Sequence, residues 1–254
     1  MTRVHGYIPD DPDDGKDHKF SVSWFSKAKY MPESMLRPTD LEPQCPLPFD
    51  QLSAGSCVWN ATTAAMRYDY KNTDDADVPL SRLQGYFDTR SMEGTAGEDS
   101  GCQIRDALKV AATIGVSEES VWPYDLTKLY DKPNEAAYAS AAKHKAIEYQ
   151  RIEVSTRAIK TALYTGRPVI IGVQIFPSFE SEEVAKTGVV PMPAWNERSI
   201  GGHAMLVIGF GQRPGFFKVR NSWSSAWGDG GNAWIPEEYV VKYGNDFWCV
   251  YSNT

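Results

Sequence analysis

The chain has 254 residues, of which 42% are hydrophobic and 23% charged, and its formal net charge at pH 7 is −7. This length suits one large domain or two small ones that share a cleft. The acidic balance argues against non-specific binding to nucleic acid or to an anionic membrane, so neither is expected as a partner. No apolar run approaches the about 20 residues of a membrane span, and the N-terminus lacks the apolar stretch of a secretory signal.

Residues 1–40 differ in character from the rest of the chain and are predicted to form an N-terminal extension. Residues 9–17 combine five aspartates with prolines and a glycine, a composition that cannot bury a core and belongs at the surface. Phe20, Val22 and Trp24 then alternate with polar residues, which favours a short strand or an extended arm. Such an arm either docks passively on the body or covers and regulates a cleft.

Residues 41–148 are predicted to be mainly helical. Apolar residues recur every three or four positions from Cys57 to Tyr68, which indicates a helix that begins at Cys57. Capping patterns predict three more helices: one that Ser81 opens, one that Ser100 and Gln103 open as a capping box and that ends at Gly115, and one from Asn134 to about Lys145.

Residues 149–254 are predicted to be mainly β. A short helix over residues 156–164 precedes strands at 169–176, 204–210, 216–219 and 232–235, which are rich in β-branched and aromatic residues. Two glycines and a proline in the stretch 211–215 predict a hairpin turn between the second and third of these strands. A helical half followed by a β half indicates an α+β fold of two lobes with a cleft between them.

Three side chains suggest nucleophilic catalysis. Cys57, His203 and Asn221 place a thiol, an imidazole and a carboxamide in the chain order of a nucleophile, its base and the group that orients the base. The positive end of a helix that starts at Cys57 would favour the thiolate. His203 begins one strand of the predicted hairpin and Asn221 ends the next, so both are expected at the same end. Taken singly, each residue has an ordinary structural role; together they indicate a cysteine hydrolase.

Neighbouring residues fit the same chemistry. The side-chain amide of Gln51 and the backbone N–H of Cys57 can both donate to a developing oxyanion. Gly55 gives the backbone clearance beside the reacting carbon. Trp223 can shield the His203–Asn221 hydrogen bond from water and so strengthen it.

The chain resembles the papain-like cysteine peptidases in three blocks that lie within residues 41–250. These blocks are the run Gln51-Leu52-Ser53-Ala54-Gly55-Ser56-Cys57, the strand start Gly202-His203-Ala204, and Asn221-Ser222-Trp223 with Trp227-Gly228-Asp229. The resemblance implies a papain-like fold with a helical lobe and a β-barrel-like lobe. It also implies hydrolysis of peptide bonds by an endopeptidase through a Cys-His-Asn triad and a thioester intermediate.

The resemblance assigns a role to each residue that matches a block. It implies Cys57 as nucleophile, His203 as acid and base, Asn221 as orienter and Gln51 as oxyanion donor. Residues expected to contact the substrate are Gly55, Ser56, Gly101, Gly202 and Trp223. Gly202 borders the pocket for the substrate's second residue, and a glycine there predicts tolerance of bulky apolar side chains.

Several short segments along the chain look similar to a bacterial, archaeal and viral branch of this family. Tyr7-Ile8-Pro9-Asp10 and Glu98-Asp99-Ser100-Gly101 are among the stretches that carry this likeness. In that branch a short N-terminal segment replaces a long helical pro-segment. The likeness implies that residues 1–40 are a short pro-segment that lies in the cleft.

Two departures from the family pattern and the remaining cysteines bear on redox state. Ala54 stands where the family has a cysteine, which removes the usual disulfide, and Val58 stands where it has a tryptophan. Cys45, Cys102 and Cys249 allow at most one disulfide, which favours a reducing compartment such as the cytoplasm, with export by another route left open. No Cys or His spacing is typical of a metal site, so neither metal nor cofactor is expected.

Two other functions stay open at this point. The same triad could transfer the acyl group to an amine instead of water, and a catalytically silent binding protein could use the same fold. The expected partners are peptide or protein substrates and the chain's own N-terminal segment.

Overall fold

The computed structural model describes residues 4–9, 15, 17–21, 31–74 and 76–252. Most of the acidic run and the predicted arm residues Val22 and Trp24 lie outside these ranges. Within them, the amide of Phe20 donates to the carbonyl of Arg151 at 2.8 Å. The described part of the arm therefore lies in extended contact with the body of the protein.

The first half of the chain forms the predicted helices. Ser81 and Asn134 cap their helices as predicted, because the side-chain oxygen of each accepts from a backbone amide in the first turn. The helices are α1 (Cys57–Asp74), α2 (Arg82–Met92), α3 (Ile104–Thr113) and α4 (Glu135–Ala141). Helix α4 ends before Lys145 because the amides of Lys143 and His144 donate to carbonyls three residues back, as in a tight turn, and not four residues back.

The predicted capping box at the start of α3 is wrong. Gln103 is the N-cap and its side chain makes no capping hydrogen bond. Gly101 has a φ of +76°, and this left-handed turn separates Ser100 from the helix that it was expected to open. The hydroxyl of Ser100 donates to Thr95 instead, and the carboxylate of Glu93 accepts from the amide of Gln103 at 2.9 Å.

The second half forms an antiparallel sheet whose strands run in the order β2-β7-β3-β4-β5-β6, with β1 paired to β4. The strands are β1 (Thr39–Asp40), β2 (Glu148–Arg151), β3 (Val169–Ile175), β4 (Gly201–Phe210), β5 (Phe216–Arg220), β6 (Asn232–Pro236) and β7 (Gly244–Tyr251). The accompanying helices are α5 (Thr156–Tyr164), α6 (Glu182–Thr187) and α7 (Glu237–Tyr243). Helices followed by an antiparallel sheet confirm the predicted α+β class.

Sequence patterns missed β1, β2 and β7. Strand β7 pairs with β2 on one side and β3 on the other, and five consecutive residues of it are buried. A strand buried on both faces lacks the alternation of apolar and polar residues by which strands are recognised. The start of β7 carries Asn245 and Asp246, which contact Tyr7 of the N-terminal segment.

Two contacts between the halves position the site. Helix α1 packs against β4. The loop before α1 pairs with the chain after β5: the amide of Gln51 donates to the carbonyl of Ser222 at 2.9 Å, and that of Ser224 to the carbonyl of Phe49 at 2.9 Å. The start of α1 is thereby fixed against the end of the β4–β5 hairpin, where four of the predicted site residues lie: Gly202, His203, Asn221 and Trp223.

Candidate active site

Cys57 is the first residue of α1, and its thiol is completely buried. Its sulfur accepts a hydrogen bond from the amide of Ala204, the residue after His203, at 3.4 Å. Burial raises the pKa of the Cys57 thiol to about 11, although hydrogen bonds from the amides of Ala204 and Gly6 act in the opposite direction. In this arrangement desolvation outweighs the helix terminus, so the thiol is protonated at neutral pH.

His203 and Asn221 lie together at the end of the hairpin, as the sequence pattern indicates. Nε2 of His203 is 2.8 Å from Oδ1 of Asn221. The same oxygen accepts from the amide of Ser222 at 2.8 Å, which fixes the carboxamide with its oxygen towards the imidazole. Nε2 is therefore the donor, and in a neutral ring Nδ1 is the basic nitrogen.

Trp223 covers this hydrogen bond. Its ring stacks on that of His203 with centroids 4.9 Å apart and planes 26° from parallel. Both rings are buried. A low-dielectric surrounding strengthens the imidazole–carboxamide bond and holds the ring in place.

Gln51 has its carboxamide fixed at both ends. Its Oε1 accepts from the hydroxyl of Ser222 at 2.7 Å. Its Nε2 donates to the carbonyl of Ala54 at 2.9 Å and to the carbonyl of Val4 at 3.1 Å. Gln51, which the sequence analysis predicts to donate to an oxyanion, thus donates to a backbone carbonyl of the N-terminal segment, that of Val4.

The loop before Cys57 rests on a carboxylate that sequence reasoning did not single out. Asp99 accepts from the amide of Gly55 at 3.0 Å and from the hydroxyl of Tyr86 at 2.6 Å. The Tyr86 hydroxyl in turn accepts from the amide of Gly101 at 2.9 Å. Burial, followed by the neighbouring Asp99, raises the pKa of Tyr86, so the phenol keeps its proton. One hydrogen-bonded chain therefore joins Gly55 to Gly101.

Ser56 is held by a second tyrosine that the sequence reasoning also missed. Its hydroxyl is 2.6 Å from that of Tyr124, which also donates to the carbonyl of Gln51 at 2.9 Å. Ser56 therefore supports the loop from inside. Sequence signals for these tyrosines are weak, because an aromatic residue in a helix or loop is ordinarily part of the core.

Residues 4–9 lie in the cleft between α1 and the sheet. The amide of Tyr7 donates to the carbonyl of Gly202 at 3.1 Å. On the other side, the amide of Cys102 donates to the carbonyl of Gly6 at 2.9 Å, and the amide of Ile8 donates to the carbonyl of Cys102 at 3.1 Å. The segment pairs in parallel with Cys102, one residue beyond the predicted Gly101.

The segment fits closely against backbone. A Cβ on Gly6 would lie 1.7 Å from the carbonyl oxygen of Gly55, and one on Gly101 would lie 2.2 Å from that of Gly6. Neither position tolerates a side chain while the segment is in place. Gly55, Gly101 and Gly202 therefore all contact the peptide that fills the cleft.

Tyr7 fills a pocket beside Gly202. Its side chain is buried, and its hydroxyl donates to Asp246 and lies 2.7 Å from Oδ1 of Asn245. Gly172 and Gly202 flank the ring. Both polar residues are at the start of β7, the strand that sequence patterns missed.

Four charged residues link this pocket to the N-terminal segment further along. Arg151 bonds Asp246 at 2.9 Å and Asp17 at 3.1 Å, and Arg105 bonds Asp17 at 2.8 Å. Burial would raise the pKa of Asp17, but the hydrogen bonds and charges of the two arginines outweigh it and hold that pKa below its usual value. Asp17 is therefore a carboxylate that binds both halves of the molecule, since Arg105 is on α3 and Arg151 on β2.

His5 occupies the cleft beside the imidazole of His203. The centroids of the two rings are 6.1 Å apart, with an edge-to-face geometry. Nε2 of His5 is 3.0 Å from a carboxylate oxygen of Glu180. This contact adds a side-chain interaction to the backbone pairing of the segment.

All four cysteines are free thiols. In the described ranges, no group of three His, Cys, Asp or Glu side chains could hold a metal ion. No helix formed by those residues is long and apolar enough to cross a membrane.

Known proteins share this fold. A family model described as papain family cysteine protease matches residues 44–246. The chain therefore belongs to the papain family of cysteine proteases and is a papain-like cysteine peptidase.

Its relatives include viral, bacterial and animal proteins. An uncharacterised peptidase C1-like protein of Acanthamoeba polyphaga mimivirus is 35% identical, over 98% of this chain and 87% of its own length. The crystal structure of xylellain, a cysteine protease from Xylella fastidiosa, superimposes with a TM-score of 0.88 at 29% identity, covering 100% of this chain and 99% of that one. Cathepsin S of Rattus norvegicus is 29% identical over 79% of this chain, which spans 60% of the cathepsin.

Proposed function

We propose that the protein is a thiol endopeptidase in which Cys57, His203 and Asn221 form the catalytic triad and residues 4–9 cover it. The observation that carries the proposal is the convergence of three elements. The thiol at the start of α1 contacts the residue after His203, Asn221 holds Nε2 of His203, and Gln51 presents an N–H to a peptide carbonyl. Nucleophile, base, orienter and oxyanion donor meet in one cleft.

The reaction follows from these positions. Nδ1 of His203 takes the proton of the Cys57 thiol, and the thiolate sulfur attacks the carbonyl carbon of the substrate. The oxyanion receives N–H bonds from Gln51 and from the backbone of Cys57. The imidazolium then gives its proton to the departing amine, which leaves a thioester. His203 next takes a proton from water, the resulting hydroxide attacks the thioester, and the carboxylic acid leaves as the thiol is restored.

The N-terminal segment holds this machinery closed. The Val4 carbonyl takes the N–H of Gln51, and the amide of Gly6 lies against the sulfur of Cys57. A substrate carbonyl needs both places. Catalysis therefore requires residues 4–9 to leave the cleft, whether by displacement or by proteolysis.

The cover is best opened by substitution. Removal of residues 1–40 would also remove β1 and the ion pair, at 3.0 Å, between Asp40 and Lys218. A single change, Gly6→Ala, places a methyl group against the Gly55 carbonyl and leaves the rest intact. Gly97→Ala is the matched control, because a Cβ there meets no atom within 4 Å.

The test is hydrolysis of a fluorogenic peptide with both termini blocked, by the full-length protein and its variants. Gly6→Ala is expected to cut faster than wild type, and Gly97→Ala at the wild-type rate. Cys57→Ala added to Gly6→Ala should abolish cleavage, whereas Cys45→Ala should not. If Gly6→Ala frees Cys57 for alkylation and still cuts no peptide, the endopeptidase proposal is wrong.

A further inference from the structure

The pocket that Tyr7 fills is a slot with glycine on two sides. A Cβ on Gly172 would lie 2.2 Å from Cζ of Tyr7, and one on Gly202 would lie 2.7 Å from its Cδ1. Tyr7 itself is only 5% exposed. Two positions without side chains therefore make room for one flat ring and little else.

The far end of the slot is polar and rigid. One oxygen of Asp246 accepts from the phenol of Tyr7, and the other accepts from Arg151 at 2.9 Å. Oδ1 of Asn245 lies 2.7 Å from the same phenol. The Asp246 side chain is 1% exposed, so the arginine fixes one carboxylate oxygen towards the slot without access to bulk water. A buried acceptor of this kind loses free energy whenever its donor is missing.

The charges around the slot disfavour a cation. A lysine or arginine side chain would have to compete with Arg151 for Asp246. When the N-terminal segment leaves, Asp17 leaves with it, and Arg151 loses one of the two carboxylates that it binds. A neutral donor such as a phenol is not repelled by the positive charge of Arg151.

We infer that this pocket selects a tyrosine side chain in the substrate and that Asp246 is the residue that determines the choice. The inference rests on the proposed function, because it takes the substrate to place a side chain in this pocket while its chain runs opposite to the N-terminal segment. In the segment the pocket residue Tyr7 follows Val4, whose carbonyl binds Gln51, whereas in a substrate the pocket residue precedes the carbonyl that is attacked. Phenylalanine fits the slot but leaves the Asp246 oxygen without its donor. We therefore expect kcat/KM for a Phe substrate to be about 10- to 100-fold lower than for the matching Tyr substrate.

The test uses full-length Gly6→Ala protein and blocked dipeptide amides that release a fluorophore after their second residue. The first residue is Tyr, Phe, Leu or Arg, and the second is held constant. The Tyr substrate is expected to have the highest kcat/KM. Equal or faster cleavage of the Phe substrate, or fastest cleavage of the Arg substrate, would overturn the inference.

Substitutions in the pocket give a second test, which measures the ratio of kcat/KM for the Tyr substrate to that for the Phe substrate. Asp246→Asn keeps the volume but weakens the acceptor, so the Tyr-to-Phe ratio should fall, whereas Asp106→Asn on the surface of α3 should leave it unchanged. Because Asp246→Leu alone would strand the guanidinium of Arg151, it is combined with Arg151→Met. The double variant should prefer Phe. A Tyr-to-Phe ratio that survives both changes would contradict the role of Asp246.

A labelling experiment distinguishes failure of the peptidase proposal from failure of the pocket inference. If no dipeptide is cut although iodoacetamide labels Cys57, the same peptides are compared by how well they protect Cys57 from labelling. Protection at a lower concentration by the Tyr peptide than by the Phe peptide supports the pocket's preference. Equal protection overturns it.

Discussion

The carboxylate of Asp17 lies 2.8 Å from the guanidinium of Arg105, a residue 88 positions further along the chain. Arg151 bonds the same carboxylate at 3.1 Å. Arg105 and Asp17 are both less than a tenth exposed. The N-terminal segment is thus anchored at two places, by Tyr7 in the pocket and by Asp17 between two arginines, and loss of either anchor should favour its release.

Asp17→Asn should loosen the cover. Loss of one partner from a buried ion pair costs about 3–5 kcal/mol, and part of that cost is avoided when the segment leaves the cleft. We expect alkylation of Cys57 by iodoacetamide to accelerate at least about tenfold at pH 7, by the conversion of 1.4 kcal/mol per factor of ten. Asp106→Asn, which removes a carboxylate from an exposed pair on α3, is the control and should have no effect. An unchanged rate in Asp17→Asn would contradict the anchor.

The same anchor should respond to acid. The pKa of Asp17 is lower in the folded protein than its ordinary value, so its contribution is complete above that ordinary value, about 3.9. The contribution is lost as the pH falls through the lowered pKa. The labelling rates of Cys57 in wild type and in Asp17→Asn, measured by mass spectrometry from pH 7 down to pH 3, should therefore differ at neutral pH and approach each other only at the acid end. Convergence near neutral pH would point to another titrating group.

Opening the cover should lower the pKa of Cys57. Burial raises it to about 11 while the segment is in place. In Gly6→Ala the sulfur loses one amide donor but regains solvent and faces His203, and relief of desolvation is the larger effect. The midpoint of the pH dependence of Cys57 alkylation should therefore move below that of wild type. Cys45, whose pKa burial raises to about 12, is an internal reference and should not shift. Equal midpoints for Cys57 would show that the segment does not control the thiol.

The short motifs allowed us to predict that His203 and Asn221 lie together, because each stands in a local pattern at one end of a predicted hairpin. The roles proposed for Cys57, His203, Asn221 and Gln51 follow from the resemblance and from chain order. The hairpin that carries His203 was also predictable, since glycines at both ends of its turn mark it: Gly211 has a φ of +85° and Gly215 of +77°.

Asp246 and the Asp17 anchor were beyond the reach of sequence patterns. Asp246 is 95 positions from Arg151 and 239 from Tyr7, so only the folded chain brings them together. Its strand is buried on both faces and gives no alternating signal. The pocket was expected to suit bulky apolar side chains because Gly202 leaves space, but its polar end is contributed by residues distant in sequence.

Ser222→Ala tests whether orientation of Gln51 matters for turnover. The Ser222 hydroxyl donates to Oε1 of Gln51 at 2.7 Å and so directs the N–H end of the amide into the cleft. Removal of the donor should lower kcat in the Gly6→Ala background by about tenfold, less than the about 10²- to 10³-fold expected for Gln51→Ala. KM should change little, because the oxyanion forms only in the transition state. Ser225→Ala, on an exposed serine three residues on, should leave both constants unchanged, and a rise in KM with constant kcat for Ser222→Ala would contradict the oxyanion role.

Asp99→Ala tests the support beneath the catalytic loop. The change leaves the amide of Gly55 and the phenol of Tyr86 without their acceptor. An unsatisfied buried donor costs about 1–3 kcal/mol, which for a chain of this size lowers Tm by roughly 2–10 °C. Because Asp99 helps to raise the pKa of Tyr86, the variant should also titrate that phenol at lower pH. Glu98→Ala, an exposed neighbour, is the control for both readings. A normal Tm together with a lower kcat would indicate that Asp99 acts on the position of Cys57 and not on the stability of the loop.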